Sequence, residues 1–284
     1  MFTKVNTQIP LKELNKGIVI VSGNDACIAA AEHLAGTEGA FVDMMNAYSK
    51  HLGMTNTYFQ NSHGLDATDH YTTPRDMATL GAALIRDVPE EYALYSQKSF
   101  TWDGREQFNR NALLWDADLG ADGIKTGHTN EAGYSLVSSA VKDDMRLIAV
   151  VMGTNSTASR NAESRKLLQY GFRFFETVVP YAPETVFATE ELWYGKDSKI
   201  ELGVLEAVAT VLPKGQVKNI KADFELTTRP EAPVKKGDRF GTVRVTLDGK
   251  EVAQYPLVAL KDVEKSGWFS CFLDWLALFF LDLF

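Results

Sequence analysis

These 284 residues predict an α+β domain, a small all-β domain behind it, and an amphipathic helix at the end. Three observations carry that reading. Apolar residues recur at helical spacing through most of the first 90 positions, and from residue 98 the period shortens to that of strands. Beyond residue 185, short β-rich runs alternate with Gly, Pro and Asp turns until an aromatic C-terminal stretch begins. The chain therefore divides at 1–178, 179–262 and 263–284.

Each element has its own signal. Leu11 to Val21 is apolar at helical spacing after Pro10, which suits a first-turn position. Asp25 can cap a helix from Ala26 to Leu34 that ends at Gly36; Thr37 to Leu52 follows and closes at Gly53; Thr73-Pro74 opens another that reaches Ile85 and stops before Pro89. Between them NTYFQNSHGLDATDHYTT (56–73) lacks strand periodicity and reads as a long polar loop, a class often used for function. KSFTWDGREQFNRN predicts a hairpin turning at Asp103-Gly104. ADGIKTGHT and two β-rich runs flanking KDD predict three antiparallel strands, and an amphipathic helix runs from Ser156 to about Thr177. VVPYAPET, with Pro180 and Pro183, reads as a linker.

Charge and cysteine usage exclude several classes. A net charge of −8 argues against a sequence-independent nucleic-acid binder, which needs a basic face. Two cysteines, Cys27 and Cys271, support neither a disulfide framework nor a thiolate metal site. His33, His51, His63, His70 and His128 show no metal-ligand spacing, so no metal is expected and His63 reads as a hydrogen-bonded loop residue. The first 21 residues contain no apolar run of signal-peptide length.

The C-terminal GWFSCFLDWLALFFLDLF has 14 of 18 positions apolar. As a helix it would be about 27 Å long, at the lower limit for crossing a bilayer. Ser266, Ser270, Asp274 and Asp282 recur at multiples of four, forming a polar stripe opposite Trp268, Phe269, Phe272, Trp275, Phe279 and Phe280. That pattern fits a helix lying in a membrane interface better than one crossing it. The stripe is acidic, so anionic lipid would repel it.

Two short stretches carry chemistry. Ser22-Gly23-Asn24 puts two hydrogen-bonding side chains at the entrance to a helix, and Lys125-Thr126-Gly127-His128 puts an ammonium and a hydroxyl at a strand edge. Gly127 would let a substrate backbone approach that edge closely. Neither motif is specific by itself. In this order, with helices between them, they match the second and third motifs of the active-site serine penicillin-binding and β-lactamase fold, S-x-x-K, S-x-N and K-T-G. LNKGIVIVSGNDACIAAAEHLAG, HGLDATDHYTTPRDMA, NRNALLW, DGIKTGHTNEAGYSLV, MRLIAVVMG and ESRKLLQYGFRFFE extend the match. The chain closely resembles, essentially end to end, a low-molecular-mass penicillin-binding protein, a serine-type D-alanyl-D-alanine carboxypeptidase of the five and six branch.

The resemblance implies a transpeptidase-type fold lacking its N-terminal part, then the β domain and an anchoring helix. It implies a peptidoglycan peptide ending in D-Ala-D-Ala as substrate, β-lactams as inhibitors of the intact family, no cofactor, and a place on the periplasmic face of the bacterial inner membrane. Ser22 takes the proton-relay position, and Asn24 holds a substrate amide. Lys125 supplies positive potential and a hydrogen bond to that serine; Thr126 and Arg160 bind the terminal carboxylate; the His128 N–H forms half of an oxyanion hole; Arg110 supports the cleft.

One departure matters. The family's S-x-x-K motif, with the acylated serine and its lysine base, precedes S-x-N by several tens of residues, and here no serine lies among residues 1–21. The sole S-x-x-K string, Ser139 to Lys142, falls on a strand, which would point its serine and lysine to opposite faces. The expectation is a chain inactive as written, with an unpaired sheet edge and an incompletely covered core. A non-catalytic, membrane-associated binder of peptidoglycan peptides is the alternative. A β-lactamase would share the motifs without needing the β domain or the helix.

Overall fold

The computed structural model describes residues 1–281 and contains two compact units, Met1–Arg173 and Phe174–Phe284. Unit 1 opens with three helices, α1 (Leu11–Val21), α2 (Asn24–Ala35) and α3 (Glu38–His51). The inward stripe of α1, Leu14, Val19, Ile20 and Val21, packs with Ala26, Leu94 and Phe100 into one apolar cluster. Pro10 is the residue before α1 rather than its first turn. Asp25 does not cap α2: the helix begins at Asn24 without a side-chain cap, because the Asp25 carboxylate instead accepts the Thr3 N–H at 2.7 Å. Thr37 and Thr73 do cap, accepting the amides of Ala40 and Asp76.

The 56–73 loop is tightly held between α3 and α4 (Pro74–Asp87). The Asn46 side chain exchanges two hydrogen bonds with the Phe59 backbone, at 2.9 and 2.8 Å. Glu38 accepts the Ser62 amide and hydroxyl, and buried Asp76 accepts the Asn56 amide and Thr57 hydroxyl. These bonds satisfy backbone groups that have no ladder to join.

A short helix α5 (Pro89–Tyr92) leads to the hairpin β1 (Ser99–Trp102) and β2 (Arg105–Phe108), which turns at Asp103-Gly104, both at positive φ. Next come β3 (Ala121–Thr129), β4 (Gly133–Lys142) and β5 (Met145–Thr154), an antiparallel sheet in the order β3-β4-β5. Helix α6 (Thr157–Phe174) packs Leu168 against Leu113, Leu136, Ala140 and Ala149. Gly81 lets α4 approach β3, since a Cβ there would stand 2.9 Å from Ile124 Cδ1. Among the described residues β3 and β5 each pair with one strand only. A cavity of about 240 Å³, lined by Ile18, Val19, Leu80, Leu84, Ile124 and Val137, lies beside β3.

The S-x-x-K string sits on β4, where Ser139 is fully buried and accepts the Arg146 guanidinium at 2.6 Å while Lys142 is exposed. They face opposite ways, as strand alternation requires.

Unit 2 starts as a strand where a linker was expected. β6 (Phe175–Tyr181) pairs with β9 (Val208–Pro213), so helix α6 ends at Phe174 rather than near Thr177. The β-branched run Thr177-Val178-Val179 favours the extended form. The remaining strands, β7 (Val186–Glu191), β8 (Lys199–Gly203), β10 (Ile220–Leu226), β11 (Arg239–Leu247) and β12 (Lys250–Ala259), form one sheet ordered β10-β11-β12-β8-β7. Ile200, Leu202, Val208, Val243, Val245 and Leu257 fill its core without measurable exposure.

Helix α7 (Trp268–Leu281) docks within unit 2 by Cys271, Asp274 and Leu278; Ser270 of the expected polar stripe is exposed. Asp274 accepts the Tyr194 N–H at 2.7 Å, Cys271 contacts Ser266, and Leu278 is buried. Trp268, Phe269, Trp275 and Phe279 stay exposed, and the rings of Trp268, Phe272, Trp275 and Phe279 stack in sequence. Asp282 of the expected stripe lies outside the described residues.

Candidate active site

Helix α1 ends at Ser22, whose backbone is left-handed, φ 60° and ψ 47°. That conformation is unfavourable for a residue with a side chain, roughly 1–2 kcal/mol, and such outliers cluster at functional sites. The turn aims the Ser22 hydroxyl at β3. There Lys125 Nζ donates to Ser22 Oγ at 2.8 Å and to the Thr126 carbonyl at 3.0 Å. Residues 103 positions apart thus meet in direct contact.

The rest of the predicted set is arranged around that bond. Lys125, Thr126, Gly127 and His128 line a cleft of about 520 Å³. A Cβ built on Gly127 meets only Ser135 Cβ, at 4.0 Å, so packing within the chain does not require glycine there. His128 is exposed and its ring lies 3.9 Å from that of Tyr134, its cross-strand partner. Asn24 is exposed in the first turn of α2, and among the described residues its side chain has no hydrogen-bond partner. Arg160 is only 4% exposed, with Nη2 on the Arg110 carbonyl and Nε on Asn161 Oδ1, both at 3.3 Å. Arg110 itself is exposed.

Electrostatics set this site apart. Burial, then the neighbouring positive charge of Arg110, pulls the Lys125 ammonium from its ordinary 10.5 to about 8; Cys27 opposes the shift and Arg160 adds least to it. Burial also lowers Arg160, and Arg110 adds to that against Tyr134. Among the described residues no carboxylate forms a salt bridge with Lys125, Arg110 or Arg160. Lys125 lines the cleft, and Arg110 and Arg160 lie near enough to act on its charge; clustered cations without a counter-ion favour an anion nearby.

Sequence reasoning missed the opposite wall. Phe59, Leu65, Asp66, His70 and Tyr71 of the 56–73 loop line the cleft facing the Lys125 strand. Loop length was the signal. No group of His, Cys, Asp or Glu among the described residues could hold a metal ion.

Comparison with known proteins agrees with the geometry. Residues 1–156 match the family described as D-alanyl-D-alanine carboxypeptidase, and residues 175–265 match the penicillin-binding protein 5 C-terminal domain. The chain belongs to the D-alanyl-D-alanine carboxypeptidase family. D-alanyl-D-alanine carboxypeptidase DacC of Escherichia coli K12 is 50% identical over 282 residues, 99% of this chain and 70% of the relative. The crystal structure of penicillin binding protein 5 from Haemophilus influenzae superposes with a TM-score of 0.83 at 44% identity, covering 93% of this chain and 78% of that one. Penicillin-binding protein D2 from Listeria monocytogenes, solved in a cefotaxime-bound form, is similar at 32% identity and a TM-score of 0.54, over 58% of this chain and 67% of that one. The fold of this carboxypeptidase-family chain is thus penicillin-binding-protein-5-like, with a C-terminal all-β domain and a helix beyond it.

The lysine supplies a pH test. Its folded-state value lies below the unfolded one, so between about pH 8 and 10.5 the unfolded chain binds more protons and stability rises with pH. Across that window the wild type should gain about 3 kcal/mol relative to Lys125→Met, measured by urea unfolding. A difference independent of pH would contradict the buried ammonium.

Proposed function

We propose that this chain is the relay and carboxylate-recognition part of a serine carboxypeptidase that removes the terminal D-Ala from cell-wall peptides. The observation that carries the proposal is the Lys125–Ser22 hydrogen bond beside the cleft, with Arg110 and Arg160 acting on the same ammonium and no carboxylate paired to it. The peptide lies along the open edge of β3, where Gly127 leaves room for its backbone. Its terminal carboxylate is held by Thr126 and Arg160, and Arg110 supports that pocket. Ser22 hands a proton to the departing amine of D-Ala, with Lys125 replenishing it: an amine near neutrality in its ionisation can give and take protons at working pH. Asn24, with its amide unpartnered, holds the substrate amide, and the His128 N–H faces the developing oxyanion.

Acylation needs a serine and a lysine within hydrogen-bond reach of each other. Ser139 is buried against Arg146, so residues 1–284 contain no S-x-x-K pair in that relation. On this reading they bind the peptide without forming an acyl-enzyme by themselves, which also makes them a peptide-binding module. The 284-residue chain should bind a D-Ala-D-Ala peptide in calorimetry, about 10-fold or more weakly as Arg160→Gln, while taking no covalent label from a fluorescent penicillin. Labelling would overturn the acylation claim, and absence of binding the recognition claim.

The reading places the protein at the periplasmic face of the bacterial inner membrane. Among the described residues no helix is long and apolar enough to cross a membrane. The exposed ring row of α7 suits the interface instead, with Asp274 already engaged by the Tyr194 amide. Zwitterionic vesicles should co-sediment the wild type and release a Trp268→Ala/Trp275→Ala variant; equal sedimentation of the two would reject this docking.

A further inference from the structure

The β-rich unit carries a second cleft that the carboxypeptidase reading leaves unused. In the sheet β10-β11-β12-β8-β7 the outer strands are β10 and β7, yet the C-terminal ends of both border one groove: Glu190 and Glu191 end β7, and Leu226 ends β10. The sheet therefore curls until its two edges converge, and ligands gather at such barrel mouths. The groove holds about 470 Å³, within the range of about 300–1,000 Å³ usual for small-molecule sites.

Its lining is specific in chemistry. Trp193 is half-buried and fixed from both sides: its N–H donates to the Pro230 carbonyl at 3.1 Å, and its carbonyl accepts the Ala232 N–H at 2.8 Å. These bonds hold its backbone at the groove, which the half-buried residue lines. Around it are Glu190 and Glu191, consecutive on β7 and so turned to opposite faces, together with Thr227 and Thr228. Thr227 donates its hydroxyl to the Phe240 carbonyl, leaving lone pairs that can accept.

Peptide strand addition does not fit this groove, because the nearby backbone is already used. Besides the two Trp193 bonds, the amides of Thr227 and Thr228 both reach the Phe240 carbonyl. What remains is an aromatic face ringed by side-chain acceptors and donors. A pyranose matches that set, since its C–H face packs on an indole while its equatorial hydroxyls reach a carboxylate and threonines. Two glutamates disfavour a phosphate- or uronate-bearing polymer. Partly exposed Leu226 offers a contact for an acetamido methyl.

We propose that this groove binds a neutral, N-acetylated pyranose segment of a cell-wall glycan. Only the source of that glycan rests on the carboxypeptidase reading; the saccharide chemistry comes from the groove itself.

The test is calorimetric titration of the full chain with N-acetylglucosamine tetramer, which carries no peptide and so cannot report on the Lys125 cleft. The expected result is a dissociation constant below about 1 mM, at least tenfold weaker in Trp193→Ala and several-fold weaker in whichever of Glu190→Gln and Glu191→Gln removes the groove-facing carboxylate. The two glutamine variants keep the backbone pairing of Trp193 and guard against loss through misfolding. No binding by the wild type would overturn the proposal. So would equal binding by all three variants, or a D-Ala-D-Ala peptide whose affinity falls in Trp193→Ala.

Discussion

The bond between Lys125 Nζ and Ser22 Oγ joins the helical half of unit 1 to its sheet, and the local structure on both sides is arranged around it. On the helical side it needs a turn that aims a short side chain outward, which the left-handed Ser22 at the end of α1 provides. On the sheet side it needs β3 brought close beneath the helices, which Gly81 of α4 allows by leaving room for Ile124. The hydroxyl could be replaced by many donors or acceptors at a helix end. The ammonium could not, because its partial enclosure beside two other cations brings its ionisation near neutrality.

A buried positive charge without a counter-ion lowers stability. Here the condition recurs at Arg160, whose hydrogen-bond partners are neutral: the Arg110 carbonyl and the Asn161 side chain. Clustered like charges of this kind are retained where a ligand completes them. The cleft is accordingly framed by firmly held parts. Its second wall, the 56–73 loop, is tied down by Glu38, Asn46 and Asp76 through seven hydrogen bonds counting the Thr73 cap, so it can face the Lys125 strand without a ladder of its own.

Much of this was legible in the residues, and the failures have a common cause. Helical periods, the Asp103-Gly104 turn and strand alternation across Ser139 and Lys142 are local, and local sterics fix them. Asp25 looked like a cap because only its neighbours were visible; its carboxylate is engaged by Thr3, 22 residues away. The Pro-containing VVPY segment looked like a linker because its partner strand, β9, lies some 30 residues on. In α7 the period did not show which side docks, since Asp274 is engaged by the Tyr194 amide, 80 positions back. Motif order identified the Ser22 and Lys125 stretches; the loop wall and the groove at Trp193 depend on distant segments converging and have no short-range signature.

The most direct test of the central contact is a double-mutant cycle on Ser22→Ala and Lys125→Met, read as urea unfolding free energies at pH 6, where the ammonium is charged. A bond of this kind should give a coupling of about 1 kcal/mol or more. Effects that add to within about 0.3 kcal/mol would mean that the two groups do not interact, and the direct contact would have to be abandoned.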